Sequence, residues 1–268
     1  MNNEKTPIFQ SEEKKRAKAQ LLISFGILVI TIGIGFVSSK YWGVSENSGT
    51  VVPDNTTISD DLGIIKIEDK TNPYLDITAQ YPTLGIGSTY VQQNVFDIIS
   101  AFKSENDFSK TSASDLAFIG LSAERQYQLN IKYVVTTGKN TITHRIDSYA
   151  FTGGAHGGNF VETYTFNKDE KLLSINDLFV DPAKGLDLVS KKTVEYINNN
   201  PDYKDGLPTD WFDQGTAPTL ENYSAFELTK DTLVIVFQQY QALPYVYGNI
   251  EIPIKLSELS IVLKNEFK

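Results

Sequence analysis

Residues 141–157 read TITHRIDSYAF-TGGAHG, an alternating strand-like run from Thr141 to Phe151 that ends in a glycine-rich turn. A second strand-like run, FVETYTF, extends from Phe160 to Phe166. The six residues of the turn are Thr152, Gly153, Gly154, Ala155, His156 and Gly157. Its three glycines permit positive φ or a close approach to a neighbouring chain segment. The sequence therefore predicts two strands separated by a turn that presents one histidine.

The chain on either side of this turn mixes strand-like and helix-like segments. Alternating apolar residues predict strands at Tyr74–Tyr81 and Gln126–Thr136. A hairpin is predicted from Tyr223–Leu228 and Thr232–Tyr240, which includes five consecutive apolar residues, and Asn249–Leu256 is predicted to be the last strand. Apolar residues at three- and four-residue spacing predict helices at Ser88–Phe102, Pro182–Asn199 and Ser257–Phe267. Asp181 and Pro182 provide an N-cap and a first-turn proline for the second helix. We therefore expect an α+β fold with antiparallel sheets and packed helices.

Residues 201–222 form the longest segment without a regular pattern. They contain three prolines and two glycines, and we predict a long loop there. Trp211 and Phe212 indicate that part of this loop packs against the domain.

A second irregular segment follows the apolar run Leu233–Phe237. Pro244 cannot donate to a strand ladder, and Gly248 lets the chain turn back. If the backbone between them is extended, Tyr245 and Tyr247 project on one side. Rigid aromatic side chains dominate interface hot spots, although they also fill cores. The candidate partner-binding residues are Trp211, Phe212, Pro244, Tyr245 and Tyr247.

The N-terminal region has the pattern of a membrane anchor. A basic cluster at residues 14–18 precedes the apolar run Leu21–Val37, and no charge occurs until Lys40. About 20 apolar residues cross a bilayer, whereas the apolar part of a cleaved signal peptide usually has about 7–15. We favour an uncleaved helix at residues 21–39 over a signal peptide. The basic flank then places residues 1–20 in the cytoplasm and the rest outside the cell membrane. Residues 40–71 are predicted to be a flexible stalk.

Charge is distributed unevenly along the chain. Of the 24 Lys and Arg and 33 Asp and Glu residues, residues 1–20 contain five and three. The remaining 19 and 30 give residues 21–268 a net charge of −11. Such an acidic surface argues against nucleic-acid binding, because phosphates would be repelled. It favours basic partners or cations, and it also simply maintains solubility.

Two groups of motifs resemble the RsiV-like extracytoplasmic domain family. The first is TGGAHG with the polar turn Asn167–Lys171 and the segment Ser174–Phe179. The second is Phe226–Asp231 with FQQY at residues 237–240 and Pro244–Gly248. The resemblance covers residues 72–262. It implies an extracytoplasmic domain of residues 72–268, with halves at about 72–167 and 168–268.

Members of that family include a lysozyme-sensing anti-sigma factor and the non-catalytic part of a peptidoglycan deacetylase. The resemblance therefore implies a basic, lysozyme-like protein or cell-wall glycan as partner. Residues 1–20 are shorter than a sigma-sequestering segment would require, so the chain departs from the signalling member there.

The residues themselves assign no catalytic, cofactor-binding or metal site. The chain has no cysteine and only two histidines, His144 and His156. His156 would need a nucleophile or an orienting carboxylate to act as a catalytic base, and otherwise it shapes its turn. His144 lies on a strand and is expected to be exposed or half-buried.

Our leading interpretation is a membrane-anchored extracytoplasmic binding module without enzymatic activity, located at the cell envelope. One alternative is a hydrolase or deacetylase-type enzyme that acts on the cell wall through His156. A further alternative is a transmembrane signalling protein that works through residues 1–20.

Overall fold

The computed structural model describes residues 56–59, 63–203 and 209–268. They form an α+β fold with two sheets and four α-helices. The predicted cytoplasmic tail and membrane helix lie outside the described residues. Within the described part of the chain, no helix is both long and apolar enough to span a membrane.

The larger sheet has seven strands that follow one another in chain order. They are β1 (Thr56–Ser59), β2 (Ile64–Asp69), β3 (Leu75–Pro82), β4 (Tyr127–Thr137), β5 (Thr141–Phe151), β6 (Gly158–Asn167) and β7 (Leu172–Leu173). All neighbours are antiparallel except β3 and β4, which are parallel. Parallel neighbours need a long crossover connection, and a helical segment between residues 82 and 127 supplies it.

Two helices occupy this crossover. The first, α1 (Ser88–Glu105), packs against β3 through Val91, Val95 and Phe102. Gly87 precedes it with φ of 77°, so the expected N-cap at Ser88 lies one residue too late. The second is α2 (Ala113–Phe118). Its N-cap is Ser112, whose side chain accepts a hydrogen bond from the backbone N–H of Asp115.

The C-terminal half contains a three-stranded antiparallel sheet and two more helices. Its strands are β8 (Phe226–Leu228), β9 (Thr232–Phe237) and β10 (Ile250–Lys255), with β9 in the centre. Helix α3 (Pro182–Asn199) has the predicted bounds, because Asp181 caps it and Pro182 begins it. Helix α4 (Thr209–Thr216) follows it.

Two hydrophobic clusters form the interior. One draws on residues 67–166 and lies between the seven-stranded sheet and α1. The other draws on residues 173–267 and includes the three-stranded sheet, α3 and the C-terminal segment. Buried polar residues of β5 and β6 face β8 between the two clusters, among them Thr143 and Thr165.

Three sequence expectations are corrected by the structure. The stalk predicted at residues 40–71 is too long, because β1 and β2 pair with the sheet within it. The loop predicted at residues 201–222 contains α4. The terminal helix predicted at Ser257–Phe267 is absent, and two 3₁₀ turns at Leu256–Leu259 and Asn265–Phe267 stand in its place.

The apolar spacing that suggested a terminal helix has another explanation. Leu259, Leu263 and Phe267 are all buried, as a helical face would be. However, Leu263 forms a β-bridge with Phe179, and Lys264 donates its backbone N–H to Leu178. Since these tertiary partners take the backbone groups of Leu263 and Lys264, the chain leaves the helical path after the turn at residues 260–262.

Candidate functional site

The two faces of the seven-stranded sheet have opposite chemistry. Along β3 and β4 every second side chain enters the core beneath α1, including Ile77 and Ile131. The intervening side chains, among them Asp76 and Asn130, therefore lie on the opposite face. The C-terminal half covers this second face only in part, through contacts of β8 with β4, β5 and β6.

The uncovered part is an open polar groove of about 590 Å³. That volume is within the range of about 300–1,000 Å³ usual for ligand sites. Four strands line the groove, and a loop residue, Asn249, closes one side. The polar groove is defined here by Asp76, Thr78, Asn130, Lys132, Tyr149 and Asn159.

Internal hydrogen bonds satisfy only some of the polar groups that line the groove. The Asn130 amide donates to the Thr78 hydroxyl over 2.7 Å, which fixes both side chains. Oδ1 of Asp76 is shielded from solvent and has no hydrogen-bond partner within the described residues. A buried acceptor without a partner is costly. This oxygen is an unsatisfied acceptor in the wall of the groove, and a side-chain movement is needed before a ligand can reach it.

Next to the polar groove, Arg145 holds the two halves of the protein together. Its guanidinium contacts Asp147 on β5, Glu227 on β8 and Glu251 on β10. Burial lowers the pKa of Arg145, but the three carboxylates more than offset it and leave the pKa above its ordinary value. The hydroxyl of Thr136 also donates to Glu227 over 2.7 Å. Asp147 lines the groove but is already committed to this ion network.

The TGGAHG turn connects β5 to β6, as its position between two strand-like runs predicts. Gly153 and Gly154 have φ of 94° and 86°, values that disfavour other residues. A Cβ on Gly157 would come within 2.6 Å of the Tyr149 ring, so only glycine fits beneath that ring. The glycines therefore shape the end of the polar groove.

His156 is exposed at the tip of the turn. Its ring stacks on Tyr245 with a centroid distance of 4.1 Å, and its Nδ1 lies 3.1 Å from the carbonyl oxygen of Gly157. Among the residues that the structure describes, no carboxylate or nucleophile is hydrogen-bonded to His156. The arrangement that general-base catalysis needs is not formed around this ring.

The candidate partner-binding residues fall into different environments. Phe212 is only 6 % exposed and belongs to the C-terminal core, so it is not available to a partner. Residues 245–247 form a 3₁₀ turn and are not extended, which corrects the expectation that both tyrosines share one side. The Tyr245 ring stacks on the ring of His156, whereas the Tyr247 ring packs edge-on against that of Tyr203.

Trp211 remains partly exposed and stacks on Tyr240, with ring centroids 5.8 Å apart. Pro244 is also partly exposed and precedes the 3₁₀ turn. Tyr240 was not singled out from the sequence, although it ends the FQQY motif.

The two glutamines of that motif have a structural role that the sequence did not reveal. The Gln238 side chain bonds both the N–H and the carbonyl of Val161, and Gln239 accepts from the N–H of Asn159. An unpaired strand edge exposes such groups. The glutamines thus cap the edge of β6 beyond β7 and fix it beside the polar groove.

His144 is 1 % exposed, which corrects the expectation of an exposed or half-buried residue. Its Nε2 lies 2.7 Å from the carbonyl oxygen of Ile86, which can only accept, so this nitrogen carries the proton. The Tyr133 hydroxyl then donates to Nδ1 over 2.8 Å. Burial lowers the pKa of His144, and the bond to Ile86 partly opposes it. Burial also raises the pKa of Tyr133 to about 12.

Glu162, on β6, is a partly buried carboxylate. Burial raises the pKa of Glu162, and the hydroxyl of Tyr164, which donates to this carboxylate, opposes the shift. His144 lies opposite Tyr164, the hydrogen-bond partner of Glu162, in the pairing of β5 and β6. Across the described ranges, no group of three or more His, Cys, Asp or Glu residues is arranged to hold a metal ion.

The fold and the groove define an α+β protein with an open polar site on one sheet face. Residues 176–257 match the family model described as "Protein of unknown function (DUF3298)". The chain is 31 % identical over 147 residues to the peptidoglycan-N-acetylmuramic acid deacetylase PdaC of Bacillus subtilis (strain 168). That match covers 53 % of this chain and 31 % of PdaC, so the chain spans about a third of its relative.

Two solved structures have the same fold. A DUF3298 family protein from Pseudomonas aeruginosa PAO1 superposes with a TM-score of 0.54 at 16 % identity, covering 78 % of this chain and 97 % of that one. A DUF3298 family member from Bacteroides fragilis NCTC 9343 gives 0.54 at 21 % identity, covering 77 % and 95 %. The α+β prediction is confirmed. The resemblance is supported at the level of DUF3298, and its RsiV-like form stays a prediction.

Proposed function

We propose that this protein is a non-enzymatic, extracytoplasmic module that binds the glycan of peptidoglycan in the polar groove. The single observation that carries the proposal is the open groove on the sheet face with its lining of polar side chains. Sugar hydroxyl and acetamido groups each donate and accept hydrogen bonds. The groove offers matching amide, hydroxyl, carboxylate and ammonium groups from Asn130, Thr78, Asp76 and Lys132.

The similarity to PdaC supports cell-wall glycan as the ligand, since the name of that protein gives peptidoglycan as what it acts on. For the present chain we propose association with the wall and no deacetylation. We also propose that residues 21–39 anchor it in the cell membrane, with the domain outside. The basic cluster at residues 14–18 supports this orientation.

The enzyme hypothesis makes His156 the acid or base, and the geometry around that ring does not favour it. His156→Ala in the full chain separates the two ideas. We expect the variant still to sediment with peptidoglycan through the polar groove, and we expect no turnover of peptidoglycan by either the wild type or the variant. Release of acetate or of reducing sugar ends by the wild-type chain, abolished in the variant, would establish the enzyme instead.

Co-sedimentation with purified insoluble peptidoglycan sacculi tests the proposed function. The full chain, kept in detergent micelles, is expected to sediment with sacculi. Asn130→Ala should weaken binding roughly three- to tenfold, the value of one lost hydrogen bond. Asn94→Ala is the matched control, because Asn94 lies on α1, which packs on the other face of the sheet. It should bind as the wild type does.

A second experiment, compared with the co-sedimentation, distinguishes a glycan ligand from a basic protein partner. Residues 21–268 carry a net charge of −11, which would attract a lysozyme at low salt. Titration of the full chain with lysozyme in a calorimeter measures this directly. Heat with lysozyme, combined with no sedimentation on sacculi, would replace glycan by protein as the partner.

A further inference from the structure

Four aromatic rings from three segments, which are the β5–β6 turn, α4 and the loop between β9 and β10, form a continuous array that is exposed or partly exposed. His156 stacks on Tyr245 at 4.1 Å, Tyr245 lies 5.5 Å from Tyr240, and Tyr240 stacks on Trp211 at 5.8 Å between centroids. The planes of Trp211 and Tyr240 differ by only 15°. We call these four residues the aromatic array.

The segments that carry the rings are fixed by backbone contacts. A Cβ on Gly215 of α4 would lie 1.9 Å from the carbonyl oxygen of Gln241, so the helix touches the loop after β9 directly. The Gln241 amide bridges the same loop to Asn222 over 2.9 Å. On the other side, the Tyr245 hydroxyl donates to the carbonyl of Gly157 over 3.0 Å. The aromatic array is therefore ordered before any ligand arrives.

Tyr240 is held in a costly conformation without being buried. Its φ is +65°, in the left-handed region that side chains with a Cβ disfavour, yet the residue is 50 % exposed. An exposed residue contributes little to the core that could offset such a cost. Strain of this kind tends to occur at functional sites. At Tyr240 its visible result is a ring presented between Trp211 and Tyr245.

The aromatic array continues directly from the polar groove. Gly157 lies between the Tyr149 ring, which lines the groove, and the Tyr245 hydroxyl. Gln239, next to Tyr240 in the chain, is bonded to Asn159 and Asn249, which both line the groove. A ligand that leaves the groove at this end meets the rings.

We propose that the aromatic array is a second subsite that stacks the sugar rings of the same glycan strand that the polar groove binds. The C–H groups on one face of a pyranose carry partial positive charge, and the face of an aromatic ring carries partial negative charge. Fixed rings also lose little conformational entropy on binding. This inference rests on the proposed function. If it holds, the ligand is a glycan strand long enough to occupy both the polar groove and the aromatic array, and a fragment of one or two sugars occupies only one of them.

Binding must then depend on ligand length. Titrations of the full chain use oligomers of N-acetylglucosamine with two and with six sugars. Trp42→Phe leaves Trp211 as the one remaining tryptophan, so its fluorescence reports on the array itself. We expect the six-sugar oligomer to bind about tenfold more tightly than the two-sugar oligomer and to change the emission of Trp211.

Three variants test what the Tyr240 ring contributes to binding. Tyr240→Gly removes the ring and relieves the backbone, so it should keep the thermal stability while abolishing the tenfold preference for six sugars. Tyr240→Phe keeps the ring and should retain the preference. Phe118→Ala removes another exposed aromatic side chain, 72 % exposed on α2, and should behave as the wild type.

Equal affinity of the wild type for both oligomers would overturn the second subsite while leaving the groove in place. The same conclusion follows if Tyr240→Gly weakens both oligomers equally. Absence of binding to either oligomer and to sacculi would overturn the proposed function itself. A preference that persists in Tyr240→Gly would also refute the role of the array.

Discussion

At the scale of single residues, the buried hydrogen-bond chain from Tyr133 through His144 to Ile86 links β4 and β5 to the segment before α1. All its groups are satisfied when His144 is neutral. Protonation of Nδ1 would place an N–H against the donating Tyr133 hydroxyl inside the core. The neutral ring is therefore part of the folded structure.

This arrangement predicts a loss of stability in mild acid. The pKa of His144 is lowered from about 6.5 in the folded protein, so the unfolded chain binds more protons just below that pH. The contribution is complete above pH 6.5 and is lost as the pH falls towards the folded-state pKa. Urea unfolding of the wild type between pH 7.5 and 5 should follow this course. His144→Phe should be less stable but flatter across the same range, and an equally steep loss in the variant would disprove the assignment.

At the scale of secondary-structure elements, Arg145 joins β5 to strands of the second sheet. The two carboxylates that reach across to it differ in their surroundings. The Glu227 side chain is 10 % exposed, whereas that of Glu251 is 52 % exposed. Both contact the same guanidinium nitrogen over 2.8 and 2.7 Å. The two contacts are therefore equivalent in distance, and the glutamates differ only in how deeply their side chains are buried.

The same substitution at both positions tests this difference. Glu227→Gln leaves a buried cation poorly paired and should cost roughly 1–3 kcal/mol of unfolding free energy. Glu251→Gln should cost about 0–1 kcal/mol, because water screens an exposed pair. Urea denaturation at low and at high salt provides the measurement, and only the Glu251 effect should shrink with salt. Equal losses would show that burial does not control the strength of this contact.

At the scale of the whole molecule, the two hydrophobic clusters lie on opposite sides of the seven-stranded sheet, with a buried polar layer between them. Side chains of β6 bond the backbone of β8, since the Thr163 hydroxyl accepts from the N–H of Phe226. The side chain of Gln238, in the loop after β9, likewise forms hydrogen bonds with the backbone of Val161 on β6. Because backbone groups of both halves depend on each other, the halves should unfold together.

Cavity variants in the two clusters test this coupling. Ile146→Ala lies in the first cluster and Ile235→Ala in the second, and both residues are fully buried. Each should cost about 2–5 kcal/mol. In calorimetry of the full chain, each variant should shift one shared transition to lower temperature. Two separate transitions, each sensitive to only one variant, would show that the halves fold independently.

Much of the fold was predictable from local patterns. Strand-like patterns located β3 to β6 to within a few residues, and a run of consecutive apolar residues located β9. Helix α3 begins where Asp181 and Pro182 indicate and ends just before Pro201, because capping and the proline constraint are local. The glycines of TGGAHG predicted a tight turn for the same reason, as positive φ is a property of single residues.

The rest depended on contacts between distant segments. Helix α4 was missed because its eight residues are too few for a clear period. The terminal helix was wrongly expected because buried spacing does not reveal that Phe179 and Leu178 take the backbone of that segment.

The candidate site shows the same division between local and tertiary information. The sequence identified the turn with His156 and some of the aromatic residues, since glycine and aromatic content are visible locally. It could not bring Asp76 of β3, Asn130 of β4 and Asn249 together, because they are distant in sequence. Nor could it place Tyr240 between Trp211 and Tyr245. The sequence by itself determined the strands, the main helices and the turn, because those follow from neighbouring residues. Only the tertiary structure decided the polar groove and the aromatic array, because strand pairing and the packing of two halves created both.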